Sequence, residues 1–153
     1  MIGLFLGKFQ PFHKGHLQAV QYILRDCDEV KIAIGSSQYH GTEDNPFTLE
    51  QRQDMLRLAL AEADIHNYKL GAIADIGNHG LWVDTLIENF SPFDTFFTRN
   101  REAAFAVGER GVRVRQHPPF GEFSGREIRK RVREGKPWGE LVPPAVANYI
   151  KSI

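Results

Sequence analysis

Cysteine is nearly absent from this sequence, since Cys27 is the single cysteine among 153 residues. One cysteine cannot form an internal disulfide, and no Cys-x-x-Cys or Cys/His cluster indicates a zinc site. The composition therefore fits a reducing compartment and argues against a disulfide-built secreted module. Long apolar runs are also lacking: the stretch from Met1 to Gly7 is too short for a membrane span and lacks the basic start of a signal peptide. We therefore expect a cytoplasmic protein without a membrane partner.

The chain also lacks net charge, because 19 Lys and Arg residues balance 19 Asp and Glu residues. A neutral chain gives no reason to expect nucleic acid as a partner. The two signs are nevertheless separated: residues 1–98 hold 7 basic and 13 acidic residues, whereas residues 99–153 hold 12 and 6. The C-terminal third can therefore present a positive field to a small anion.

The order of predicted elements indicates an α/β fold in a single domain that covers residues 1–153. No linker, repeat or low-complexity tract interrupts the chain. Apolar runs and helical spacing predict strands at 2–6, 30–35, 68–74, 95–98 and 112–116, and helices at 16–25, 48–63, 79–89, 102–109, 124–134 and from 143 onward. This alternation predicts a doubly wound parallel sheet whose ligand lies at the carboxyl ends of the strands.

The most informative stretch is Gly7-Lys-Phe-Gln-Pro-Phe-His13-Lys-Gly-His16, at the junction of the first predicted strand and helix. A helix that begins there offers unpaired N–H groups and a partial positive charge to an anion. Gly7 lets the backbone approach a phosphate, and two imidazoles three residues apart can face one ligand. The pair has two other interpretations: a metal site, although no third ligand lies nearby in sequence, or two polar helix-entry residues without a catalytic role.

A second basic element follows Ser124, where Ser124-Gly-Arg-Glu127 predicts a capping box like that of Thr48-Leu-Glu-Gln51. Ser124 and Gly125 offer a hydroxyl and an exposed N–H group, which would form a second phosphate cradle. A basic run of this kind is most often a solvated helix face, and we expect that for most of its cations. They are Arg126, Arg129, Lys130, Arg131 and Arg133.

Together these stretches resemble the archaeal-type nicotinamide-nucleotide adenylyltransferases, within the nucleotidyltransferases that carry a His-x-Gly-His motif. The resemblance spans nearly the whole chain. Its blocks are Gly7 to Leu17, Ile34-Gly-Ser-Ser-Gln38, Asn45-Pro-Phe-Thr48, Trp82-Val83, Pro92-Phe-Asp94, Ser124 to Arg129 and Leu141-Val-Pro-Pro144. It implies a Rossmann-like nucleotidyltransferase fold and a homo-oligomeric enzyme that uses Mg²⁺.

The implied reaction joins ATP to nicotinamide or nicotinic acid mononucleotide and releases pyrophosphate. A phosphate that attacks the α-phosphorus is already a nucleophile, so alignment and charge stabilisation suffice for catalysis. The alternatives are transfer to another phosphate acceptor, such as phosphopantetheine, a sugar phosphate or flavin mononucleotide, and a nucleotide-binding sensor with slow turnover.

The resemblance also implies the roles of individual residues, none of which is a metal ligand. The catalytic residues are His13, His16 and Arg129. The ATP and phosphate contacts are Gly7, Lys8, Phe9, Gln10, Gly15, Ser124, Gly125 and Arg126. The acceptor contacts are Asp75, His79 and Trp82, while His40, His66 and His117 are expected to be ordinary surface or loop residues.

Several positions depart from the family pattern. Lys8 stands where the family has Arg, Arg126 where it has Thr, and His79 where it has Asn. The stretch from Thr98 to Arg101 carries two arginines in place of the family's Gly and Pro, and the histidine of the second block has moved to His40 or been lost. Because these changes fall on predicted substrate contacts, they concern the acceptor more than adenylyl transfer itself.

Overall fold

The computed structural model describes residues 1–119 and 124–153. Its residues group into two compact units, each described by itself below. The first comprises Met1–Gly7, Val20–Ser37 and Asn67–Pro118, and the second comprises Lys8–Ala19, Gln38–His66 and Pro119–Ile153. The single domain expected over residues 1–153 stays a prediction.

The first unit is built on a five-stranded parallel sheet. Its strands are β1 (Ile2–Gly7), β2 (Glu29–Ile34), β3 (Tyr68–Ala72), β4 (Thr95–Phe97) and β5 (Arg113–Arg115). They lie in the order β3-β2-β1-β4-β5, with Ile2 opposite Glu29 and Gly7 opposite Ile34 in the central pair. The predicted parallel α/β sheet is confirmed, with strand bounds that differ from the sequence prediction by one or two residues.

Helices α3 (His79–Phe90) and α4 (Arg101–Gly108) belong to the same unit, and each begins at an asparagine cap, Asn78 and Asn100. Gly71 in β3 allows Phe90 to pack closely, because a Cβ atom at Gly71 would lie 2.5 Å from Phe90 Cε1. Strands and helices enclose one apolar core, in which burial supplies the stability of the unit. It contains Leu4, Ala33, Ile73, Val83, Leu86, Phe90, Phe96, Ala103, Ala106 and Val107.

The second unit is helical. It contains the first residues of α1 (Lys14–Asp26), together with α2 (Leu49–Glu62), α5 (Gly125–Glu134), a 3₁₀ turn (Gly139–Leu141) and α6 (Pro144–Ser152). Helices α2 and α6 pack together, and the Tyr149 hydroxyl donates to Asp54 Oδ2 at 2.9 Å. Among residues 1–119 and 124–153, every helix is too short or too polar to cross a membrane.

The helix ends of this unit follow from local chemistry. Thr48 and Gln51 form the predicted capping box, since each backbone N–H donates to the side chain of the other. At α5 the Ser124 hydroxyl accepts from the N–H of Glu127 at 3.4 Å, whereas the Glu127 carboxylate accepts from Arg131. The structure therefore shows one half of the second predicted capping box, with an ion pair along the helix in addition.

Candidate active site

The first turn of α1 brings His13 and His16 together. Their ring centroids lie 3.6 Å apart with an interplanar angle of 20°. The N–H of His13 donates to His16 Nδ1 at 3.1 Å, and the N–H of His16 donates to His13 Nδ1 at 3.3 Å. This exchange is a capping box made by two imidazoles. It explains both the spacing of the pair and the start of α1 at Lys14, two residues earlier than predicted.

Burial decides the charge of His13. The residue is 8% exposed, and desolvation lowers the pKa of His13 to about 4. A neutral imidazole that accepts a hydrogen bond at Nδ1 carries its proton on Nε2. At neutral pH His13 therefore presents an N–H donor and no positive charge.

Two phenylalanine rings fix the orientation of His16. The Phe9 ring meets it edge-on with centroids 4.8 Å apart, and the Phe12 ring stacks on it at 5.5 Å. Both phenylalanines are at most 1% exposed. The Phe9 side chain thus packs against the His16 imidazole inside the unit. Only the backbone of Phe9 is left for the predicted ATP contact.

The side chain of Gln10 holds the loop between β1 and α1 in place. Its amide exchanges two hydrogen bonds with the backbone of Phe47, at 2.9 and 3.0 Å, and the residue is 3% exposed. Because its side chain is occupied in this conformation, Gln10 would make its predicted phosphate contact through its main chain. The block Asn45-Pro-Phe-Thr48 in turn serves as the anchor of this loop.

Arg52 is a residue that sequence reasoning missed. It is fully buried in α2, where Nη1 donates to the carbonyl of Lys8 at 3.1 Å and Nε donates to the carbonyl of Thr48 at 3.3 Å. Burial lowers the pKa of Arg52, yet a guanidinium keeps its charge in proteins. The sequence signal that could have indicated its burial is its position on the apolar face of α2, three residues before the buried Met55. Arg52 fixes the loop through backbone carbonyls.

Arg129 joins the same loop from α5. Its Nη1 donates to the carbonyl of Gln10 at 2.9 Å. Gly125 makes room for this contact, because a Cβ atom there would lie 2.8 Å from Nη1 and 3.5 Å from the Gln10 carbonyl oxygen. Burial is the main cause of the lowered pKa of Arg129, which remains a cation at working pH. The structure therefore brings predicted catalytic residue Arg129 to the loop that carries His13.

The remaining predicted phosphate contacts are Gly7, Lys8, Gly15 and Arg126. Lys8 is exposed directly after β1, and Gly15 occupies the first turn of α1. Gly7 ends β1, where its carbonyl accepts from the N–H of Gly35 at 2.8 Å. Arg126 is exposed in the first turn of α5, next to the Ser124 cap.

Two other cations of α5 are engaged elsewhere. Arg131 pairs with Glu127 at 3.0 Å, and Arg133 pairs with Glu43 at 2.9 Å. Their side chains remain 37% and 44% exposed. This agrees with the solvated helix face expected for most of the basic run.

The predicted acceptor contacts meet in a pocket of the first unit of about 290 Å³. His79 and Trp82 lie in the first turn of α3, with parallel rings at a centroid distance of 6.2 Å. Asp75 follows β3, and its Oδ2 accepts from the Ser36 hydroxyl at 2.8 Å. The pocket is lined by Asp75, Ile76, Gly77, His79, Trp82, Asn100, Glu102 and Ala103. It lies after the carboxyl ends of β3 and β4, as the fold class predicted.

Three pocket-lining or buried positions of this unit were not predicted as such. Asn100 and Glu102 line the pocket, and the available signal for them was an asparagine cap three residues after the end of β4. His117 follows β5 in a loop, as expected, yet it is buried. His117 is 9% exposed and meets the edge of Phe5 at 5.6 Å, and its burial lowers the pKa of His117.

Within residues 1–119 and 124–153, no three His, Cys, Asp or Glu side chains are close enough to hold a metal ion. The two stacked imidazoles use their Nδ1 atoms for backbone hydrogen bonds. This donor set fits a divalent cation that is bound mainly through substrate phosphates and water, as Mg²⁺ usually is.

Comparison with known proteins first defines the class. Residues 4–113 match the cytidylyltransferase-like family, a class of nucleotidyltransferase enzymes. In the crystal structure of a bifunctional NMN adenylyltransferase/ADP ribose pyrophosphatase from Francisella tularensis, complexed with AMP and a Mn ion, the similar region has a TM-score of 0.88 at 25% identity. The match covers 99% of this chain and 48% of that chain, so the chain spans about half the length of the bifunctional protein.

Sequence relatives narrow the class further. A nicotinamide-nucleotide adenylyltransferase of Thermococcus onnurineus is 44% identical, over 99% of this chain and 82% of its own length. One of Pyrococcus furiosus is 42% identical, over 99% of this chain and 83% of its own. The chain belongs to the nicotinamide-nucleotide adenylyltransferases, which agrees with the family resemblance of its motifs.

Proposed function

We propose that this enzyme transfers the adenylyl group of ATP to nicotinamide mononucleotide, with nicotinic acid mononucleotide as a second acceptor. A phosphate oxygen of the mononucleotide forms a bond to the α-phosphorus of ATP while the bond between the α-phosphorus and the bridging oxygen breaks. Pyrophosphate leaves with the electron pair of that bond. No proton has to be removed from an ionised phosphate, so the reaction needs no general base.

The observation that carries the proposal is the stacked pair His13 and His16, with Arg129 bound to the same loop. In this role the imidazoles donate hydrogen bonds to oxygens of the transferring phosphoryl group. Arg129 supplies the permanent positive charge that stabilises pyrophosphate as it departs. Because hydrogen bonds and packing already hold these groups, little reorganisation is needed when charge develops.

The other proposed phosphate contacts complete the ATP site. Lys8 reaches the triphosphate as a point charge, and the glycines Gly7 and Gly15 permit close approach of the backbone. Ser124, Gly125 and Arg126 at the start of α5 form the second cradle, where the helix N-terminus attracts anions. Gln10 and Phe9 contribute backbone groups.

Magnesium is the proposed metal, bound with ATP. It supplies charge neutralisation to the triphosphate when bound. In this proposal His13, His16 and Arg129 bind and orient the phosphate groups. The ion would be held by the phosphates and water rather than by protein ligands. Removal of Mg²⁺ by EDTA is expected to abolish turnover.

The acceptor half of the proposal concerns the pocket of the first unit. Trp82 offers a flat half-buried surface for a pyridine ring, with Asp75 and His79 at its polar edge. These groups supply the donor and acceptor chemistry that a carboxamide requires. The family membership supports this assignment.

The decisive experiment measures pyrophosphate release from ATP and Mg²⁺ across a panel of acceptors. The panel contains the two pyridine mononucleotides, phosphopantetheine, a sugar phosphate and flavin mononucleotide. Release that depends on a pyridine mononucleotide supports the proposal. Release only with another acceptor, or ATP binding without release for any of them, contradicts it. Radiolabelled adenylate should not remain on the denatured enzyme after incubation with ATP alone, since the acceptor is its own nucleophile.

We further propose a cytoplasmic homo-oligomer that acts on small molecules without nucleic acid or membrane partners. The buried free thiol of Cys27 suits a reducing compartment. Sedimentation velocity with and without ATP measures the oligomeric state. A monomer under both conditions would contradict this part of the proposal.

A further inference from the structure

Strand β2 ends in a turn that is bound to both neighbouring strands. The N–H of Gly35 donates to the carbonyl of Gly7 at 2.8 Å, at the end of β1. The N–H of Ser37 donates to the carbonyl of Ile73 at 3.1 Å, directly after β3. Ser36 lies between these two anchors, with a φ of 48°. The turn therefore holds Ser36 from both sides.

The backbone of Ser36 is in the left-handed region, which is unfavourable for any residue with a Cβ atom. Such conformations persist where surrounding contacts maintain them, and they are concentrated at functional sites. The residue is also buried, with 3% of its surface exposed. The strain and burial of Ser36 together indicate a function for its hydroxyl.

The hydroxyl of Ser36 donates to Asp75 Oδ2 at 2.8 Å. Asp75 lies two residues after Ile73, so the same turn that fixes Ser36 also fixes it relative to the backbone of Asp75. Asp75 itself is exposed and lines the pocket of the first unit. An exposed side chain samples several rotamers, and a hydrogen bond from a fixed donor restricts that freedom.

The bond to Ser36 leaves the carboxylate able to bind a substrate. Its two oxygens together offer about four acceptor sites, so Asp75 can accept from Ser36 and from a ligand at the same time. The pocket is lined by Asp75 and not by Ser36. The influence of the Ser36 hydroxyl on a ligand in the pocket therefore passes through Asp75.

We propose that Ser36 is a positioning residue for acceptor binding, which holds the Asp75 carboxylate in the orientation that meets the mononucleotide. This inference rests on the proposed function. Asp75 has other interactions as well, so loss of the hydroxyl should loosen its carboxylate without releasing it. The expected result is weaker binding of the mononucleotide, with ATP binding and the transfer step nearly unchanged.

The test compares Ser36→Ala and Ser36→Gly with the wild type, by steady-state kinetics with ATP, Mg²⁺ and nicotinamide mononucleotide. The KM for the mononucleotide should rise about fivefold in both variants, the effect of one lost hydrogen bond. The kcat and the KM for ATP should stay close to those of the wild type. The control is Ser91→Ala, which removes an exposed hydroxyl that donates to the Ile87 carbonyl at the end of α3. It should leave every constant unchanged.

The two Ser36 variants also separate positioning from stability. Both lack the hydroxyl, but only glycine relieves the left-handed backbone, so Ser36→Gly should unfold at a higher urea concentration than Ser36→Ala. A positioning role predicts the same KM for the mononucleotide in both variants despite this difference. A KM that differs between them and follows their stability overturns the inference.

A double-mutant cycle tests the route through Asp75. In an Asp75→Ala background, Ser36→Ala should cause no further loss of kcat/KM for the mononucleotide, because the group that it positions is gone. Equal fivefold losses in both backgrounds overturn the inference and leave the proposed function intact. A wild-type KM in both Ser36 variants does the same. A wild type that uses neither pyridine mononucleotide overturns the proposed function, and this inference with it.

Discussion

The loop that carries His13 and the pocket that carries His79 are constructed differently. Around the loop, buried side chains bond to backbone: Gln10 to Phe47 and Arg52 to Lys8. The buried His13 and the half-buried His16 each accept from the other's backbone N–H. In the pocket, Asp75, His79 and Glu102 are exposed; Asn78 and Asn100 cap the two helices, and the Ser36 hydroxyl donates to Asp75.

This difference separates two demands on an adenylyltransferase. Transfer of a phosphoryl group depends on donors held within a few tenths of an ångström, which buried and mutually bonded side chains provide. The exposed residues of the pocket, by contrast, can be exchanged without disturbing the core. Substitutions in the loop should therefore cost turnover or stability, and those in the pocket should change preference.

The largest expected effect is on turnover. His16→Ala removes one preorganised donor from the transferring phosphoryl group, so kcat should fall about 10²–10³-fold with a much smaller change in ATP affinity. Steady-state kinetics and ATP titration measure the two effects. The control is His66→Ala, whose side chain is 71% exposed. Near wild-type turnover for His16→Ala would mean that the imidazole pair only caps α1.

Acid should destabilise the protein through the same pair. The folded state holds the pKa of His13 at about 4, whereas an unfolded histidine titrates near pH 6.5. Between these values the unfolded state binds the extra proton, so stability is complete above pH 6.5 and is lost as pH falls toward 4. The loss amounts to about 3 kcal/mol. Urea unfolding at pH 7.5 and 4.5 measures it, and His13→Gln should show a smaller difference between the two pH values.

A smaller effect should follow from crowding Arg129. Gly125→Ala places a methyl group 2.8 Å from Nη1, so the guanidinium must leave the Gln10 carbonyl. We expect weaker ATP binding and roughly tenfold lower turnover, similar to Arg129→Ala, because a charge-assisted contact is lost. Arg131→Ala should change little, since its ion pair with Glu127 is exposed. Equal losses for Arg129→Ala and Arg131→Ala would assign the binding role to the whole helix face.

Most of the fold could be predicted from sequence, because its signals are local. Strand periodicity, the Thr48 capping box and Gly135, which ends α5 in the left-handed conformation, each act within a few residues. The start of α1 was misplaced because an imidazole is not an ordinary capping group. The sequence indicated a second capping box, but it did not show that Glu127 would pair with Arg131 one turn later.

Some residues of the candidate site could be predicted from sequence and others could not, for a physical reason. The histidine motif is continuous in sequence and was found as a string, whereas Arg52 acts across 44 residues on the Lys8 carbonyl. No sequence pattern states which backbone carbonyl a buried arginine will reach. Glu102 was missed because an acid in a first helical turn is ordinary, and only the tertiary fold places it in the same pocket as Asp75.

The smallest expected effect concerns His79 and the acceptor. His79 is exposed in the first turn of α3, with its ring parallel to that of Trp82. In the proposed function this side chain contacts the substituent of the pyridine ring, so a fixed cation in its place, as in His79→Lys, should favour the carboxylate of nicotinic acid mononucleotide. Because the position is exposed, we expect the kcat/KM ratio of acid to amide to rise only about twofold to threefold.

The control for this prediction is His79→Gln, which introduces no charge and should leave the ratio nearly unchanged. All variants are compared at one pH, and the phosphate of the acceptor is common to both mononucleotides, so its contribution cancels in the ratio. If the wild type, His79→Lys and His79→Gln share one ratio, His79 does not contact the substituent of the pyridine ring.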